Sequence, residues 1–216
     1  MANPSALAMV QPGADLSGAD LSGADLSRAN LRGANLRDAN LSGATFGNSD
    51  YYTDIQSADL TGANLSGAKG LVDFSFSNLT SANLSNANLS IPQYTMYGSV
   101  FVKCVLKNAN LSGALLAGAD FRSASAETIN FSSADLRSAN LSHFMSRIKT
   151  PINSAAFDPK ALDFSNAKMG KALLQGSHLE GANFQGANLQ GAYANSLTRW
   201  PAGFDPKAAG ITVYGS

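Results

Sequence analysis

The sequence predicts an all-β solenoid, a backbone wound into short coils that stack on one another, and three observations carry that prediction. Residues 14–46 are seven unbroken copies of one five-residue phrase: ADLSG, ADLSG, ADLSR, ANLRG, ANLRD, ANLSG and ATFGN. A strict period of five fits neither the period of about 3.6 of an amphipathic helix nor the period of about 2 of a plain strand. Within each copy the apolar residues stand two apart, as Ala14 and Leu16 or Ala19 and Leu21 do. That spacing puts both on one face of a short extended segment, with Asp15 or Asp20 between them on the other. The rest of the phrase is drawn from Ser, Gly, Arg and Asp, which suit a corner. Repetition therefore winds the chain around an inner column of Leu, Phe and Ala.

Taken in order, residues 1–13 read as an N-terminal cap or loose terminus. No basic residue precedes the apolar stretch in MANPSALAMVQP, so it fits a secretory signal poorly. No apolar run approaches a bilayer's thickness, and the expected location is the cytoplasm. The solenoid is expected over 14–195, with centres at 16, 21, 26, 31, 36, 41, 46 and 51 in the first register. Interruptions fall near 51–55, 68–73, 90–99 and 142–161. At the first, Tyr51 is taken as a core centre and the spacing to Ile55 shortens to four. From Phe101 the frame runs to Leu141, with Ala126 as an undersized centre and Ile129 in a neighbouring inward slot to refill the space. A last run from Phe164 to Leu189 ends in a weak centre at Ala194, and residues 196–216 read as a C-terminal cap.

Two segments depart from the phrase and match each other, AFDPKAL at 156–162 and GFDPKAA at 203–209. Asp followed by Pro is a helix-start signal, since the carboxylate accepts from free amides and proline has no N–H to orphan. Each is expected to form a short helical turn that folds an aromatic onto the solenoid. The second, with Trp200 before it, would cover the open end that a solenoid otherwise exposes.

The A(D/N)LXX phrase resembles the pentapeptide-repeat family, and the WPAGFDPKAAG ending is similar to members common in cyanobacteria. The resemblance implies a right-handed quadrilateral β-helix with about four pentads per coil. With a strand spacing of about 4.8 Å, about eight coils would make a rod about 40 Å long. It also implies two kinds of partner: some members bind DNA gyrase as mimics of DNA, and members often pair through a terminal face. For such a face Trp200, Phe204, Ile211 and Tyr214 are the candidates here.

Chemistry is absent from the pattern. Asp15, Asp20, Asp25, Asp59, Asp120 and Asp135 look like spaced acids, but Asn fills the same slot in other copies, so the slot supports turns. His143 and His178 belong to no ligand cluster, and Cys104 stands where the repeat wants a small inward residue. A filled interior leaves no room for a cofactor, and none is expected. The 15 basic and 15 acidic residues cancel, which argues against nucleic acid as a partner and against a DNA mimic, whose surface should be strongly negative. What remains is a non-enzymatic structural or protein-binding scaffold, alone or within a larger assembly, with the gyrase-binding mimic as the alternative. Its candidate contact surface is mid-rod, where the outward slot turns apolar at Val100 and Val105, with Val102 outward as well and Tyr94, Met96 and Tyr97 in the adjoining loop. Either this is an exposed patch or the loop lies over the valines and hides them.

Overall fold

The computed structural model describes residues 4–48, 50–90, 98–146 and 162–215. They build a right-handed quadrilateral β-helix in which each side of the square is two or three residues of extended chain and each corner is a turn. The only helix among the described residues is the single turn Pro4–Leu7. One face can be followed through the slot residues Asp20, Asn40, Asn64, Asn83, Asn110, Asn130, Asp163 and Asn183, each paired in parallel with the next. That is eight levels, as the repeat count requires.

The local cause is visible in nearly every pentad whose slot is Asp or Asn. The slot side chain turns back and its Oδ1 accepts the main-chain N–H two residues on, as Asp20 does from Ser22 at 3.0 Å and Asn30 from Arg32 at 3.1 Å. This Asx turn bends the chain through the corner. A second bond then links coils. Asn40 donates Nδ2–H to Asp20 Oδ1 at 3.2 Å, Asn83 to Asn64 at 3.3 Å and Asn183 to Asp163 at 3.1 Å. Because Oδ1 is already committed to the turn, the amide nitrogen has to face the preceding coil. On this face the ladder is therefore directional, and the residues that continue it do so by donating. Aspartate cannot, and it opens the ladder at Asp20 and again at Asp163, after the longest step between paired coils on this face. The slot is less indifferent to charge than the sequence pattern implied.

The core is an unbroken column. Phe46, Phe74, Phe101, Phe121, Phe131, Phe164 and Phe184 follow one another with ring centroids 4.5 to 6.3 Å apart. Leu and Ala fill the remaining inward positions. Ala126 and Ile129 are both buried, with Ile129 in register between Ala109 and Leu162. Cys104 is buried too, its thiol donating to the Phe74 carbonyl, and burial pushes its pKa up, so it stays a thiol.

Two expectations about interruptions need correction. Tyr51 is no core centre: it is 36% exposed. The step from Thr45 to Asp54 holds an insertion, and the inward position goes to Thr53, whose Oγ1 donates to the Leu26 carbonyl at 2.7 Å and accepts from Gly47 N–H at 2.9 Å. A buried hydroxyl is stable there because it satisfies two main-chain groups. The repeat also continues beyond 142, with Phe144 buried and Met145–Ser146 paired with Ser125–Ala126. Paired residues accordingly lie 20, 24, 19, 27 and 20 positions apart along the face Asp15, Asn35, Asp59, Asn78, Val105, Ser125. The parallel pairing holds across all of these unequal steps.

At the far end Trp200 and Phe204 stack at 5.0 Å and close over Phe184. Asp205 Oδ1 accepts from Lys207 and Ala208 N–H, and Ala209 N–H bonds the Asp205 carbonyl at 3.1 Å, a single helical turn of the kind the Asp-Pro signal predicts. The first copy of that motif falls on residues outside those described, apart from Leu162.

Replacing Asn83 by Asp puts a carboxylate against the acceptor oxygen of Asn64. We expect a loss of about 1–3 kcal/mol, a fall in melting temperature of several degrees at pH 7, measured by thermal circular dichroism. Asp20→Asn, at the ladder's start, should be close to neutral in the same assay. Gly70 sits at a φ of 101° with a would-be Cβ 2.6 Å from the Phe46 carbonyl. Gly70→Ala should therefore cost about 2 kcal/mol or more by the same measurement.

Candidate functional site

With the interior filled, the search for a site moves to the outer surface. Among the described residues no three His, Cys, Asp or Glu side chains are gathered to hold a metal. The six apolar surface residues singled out from the sequence meet different fates. Tyr94, Met96 and Tyr97 lie outside the described residues. Val100, Val102 and Val105 are brought together around one corner, between the face carrying Asp73, Val100 and Asp120 and the face carrying Asn78, Val105 and Ser125. Val105 is 42% exposed, and Val100 and Val102 are half-buried.

The structure adds a residue that the sequence reading missed. Phe76 occupies the same corner and is 57% exposed. Its N–H donates to the Val102 carbonyl at 2.9 Å, which sets it directly beside the valines of the next coil. Its φ is 64°, the left-handed conformation that this corner imposes in every described coil that uses it; Ser57, Lys103, Ser123 and His143 adopt it too. For a bulky side chain that conformation costs about 1–2 kcal/mol relative to glycine. An exposed aromatic therefore occupies a strained position that Ser57, Ser123, Lys103 and His143 hold in other coils. The signal was present in the sequence: a large ring at the corner offset normally held by Gly, Ser or Asn.

Charge around this corner is uneven. Arg122, one coil above, is chelated by Asp120 of its own pentad, with Nη2 at 2.6 Å and Nε at 2.9 Å from Oδ2. On another corner Asp135 holds Arg137 in the same way, at 2.6 and 2.8 Å. Burial pushes the Asp135 carboxyl up, but the Arg137 guanidinium and N–H outweigh it, leaving its pKa below the usual carboxylate range. Lys103 stands three residues after its slot, Val100, at the corner position that Ser123 holds one coil above, so it is not the counterpart of Arg122. The Lys103 ammonium instead lies 5.5 Å from the centre of the Phe76 ring, a cation–π contact.

Elsewhere on the rod, Arg28 stands over Tyr51 at 5.4 Å, beside an open groove of about 550 Å³ bounded by Leu7, Val10, Leu26 and Ala29. At the C-terminal end Trp200 and Phe204 belong to the cap, and Ile211 is 5% exposed and serves the core. Tyr214 is 53% exposed and stacks on Tyr193 at 5.9 Å, so of these four it is the one that offers a large accessible ring.

Comparison with known proteins agrees with the architecture. The family model for pentapeptide repeats matches residues 13–50, 71–90, 99–127, 114–143 and 163–194, more than half of the chain, in eight copies. Curated proteins give no match. Among solved structures the chain is similar to trypsin-treated QnrB1, a plasmid-mediated fluoroquinolone resistance protein, at 19% identity over 82% of each chain with a TM-score of 0.55. It is also similar to HetL, a pentapeptide repeat protein involved in heterocyst differentiation regulation from Nostoc sp. strain PCC 7120, at 26% identity over 84% of this chain and 85% of that one, with a TM-score of 0.27. A thylakoid-lumen pentapeptide repeat protein of Arabidopsis thaliana matches at 25% identity over 62% of this chain and 79% of its own, with a TM-score of 0.37.

If Phe76 is held against its conformational preference, removing the ring should not harm the fold. Phe76→Asn, with a residue already used at corners 86, 108 and 166, should keep the melting temperature within about 3 °C of wild type or raise it. Phe101→Ala, in the buried column, should cost about 3–5 kcal/mol in the same measurement. The coil sequence, the stacked architecture and these matched residues together place the chain in the pentapeptide-repeat family.

Proposed function

We propose that this protein is a non-enzymatic scaffold that binds a protein partner through the mid-rod corner. The observation that carries the reading is the apolar group of exposed Phe76 and Val105 with half-buried Val102, on a surface whose equivalent positions are otherwise mostly polar. A coil held by main-chain ladders on four sides does not rearrange to enclose a substrate, so its recognition has to be done by a preformed outer surface. Tyr94, Met96 and Tyr97 are part of the same proposal from sequence alone. We read the protein as cytoplasmic, with a second copy able to pair through the terminal face that carries Tyr214.

Mimicry of DNA toward gyrase is the weaker reading. The likeness to QnrB1 is one of fold, and a neutral chain that chelates its own Arg122 and Arg137 lacks the continuous negative surface such mimicry needs.

The test is affinity capture from the native host with wild type and with Val100→Ser, Val105→Ser protein, followed by mass spectrometry. A partner held by wild type and lost from the variant is the expected result. Retention of gyrase subunits by both proteins would instead reinstate the mimic and remove the mid-rod corner from consideration.

A further inference from the structure

We draw no further inference here: the strongest candidate, the edge of the first coil that carries the exposed side chains of Asp15, Asp20 and Asp25, is an acidic cluster, and nothing in the structure shows what covers it.

Discussion

The structure depends on one repeated bond pair: a slot oxygen that takes a main-chain N–H from its own turn, and a slot amide that gives a proton to the coil before it. Asn64 shows both, with Oδ1 accepting from Ser66 N–H at 3.1 Å and Nδ2 donating to Asn40 at 3.5 Å. The first bond shapes the corner and the second sets the height of the stack. Parallel main-chain pairing, such as Leu65 N–H to the Asn83 carbonyl at 2.7 Å, then follows from geometry that the side chains have fixed. A coil that fails to return to register would lose these bonds on several sides at once. Closing a few extra residues between paired positions costs little by comparison.

The same constraint empties the interior of chemistry. Coils stacked at strand spacing leave room for one inward side chain per position, and the aromatic column from Phe46 to Phe204 occupies the axis. A titratable group placed there would have to be desolvated, as Cys104 is, and would be held in its neutral form. The fold thus separates roles completely: inward positions supply cohesion, slots supply height, and only corners and exposed slots are free to vary for recognition.

Legibility in the sequence followed that division. Inward and slot positions repeat, so Leu16 through Phe46 and the later centres from Phe101 to Leu141 could be placed from spacing alone, as could the buried role of Cys104. The square section and its handedness carry no periodic signal and came from family resemblance. Tyr51 was misplaced because an insertion of a few residues imitates a pentad with one residue missing, and Thr53 does not look like a core residue until both its hydroxyl bonds are seen. Phe76 was passed over for the opposite reason. The apolar slots at Val100 and Val105 interrupt a polar pattern, whereas corner residues vary more from coil to coil. The Phe76 ring stands out in the sequence at an offset normally held by Gly, Ser or Asn, and the backbone angle and exposure show what that costs.

That departure bears on function because the rest of the chain is so consistent. Ser57 and Ser123, at the same corner, adopt the left-handed angle with small side chains, whereas Phe76 adopts it with a large one and gains little burial in return. In a fold where local preference and global geometry otherwise agree, an unrelieved conflict of this kind marks a position shaped by something other than stability. Lys103 is a parallel case in charge. It occupies the corner position that Ser123 fills one coil above, and its ammonium lies over the Phe76 ring. Two neighbouring exceptions, one steric and one electrostatic, share a corner one main-chain bond apart. A rigid rod recognises a partner only by what it already displays, and this corner displays an apolar wall and a fixed ring, with Lys103 over the ring and Asp73 in the adjoining slot.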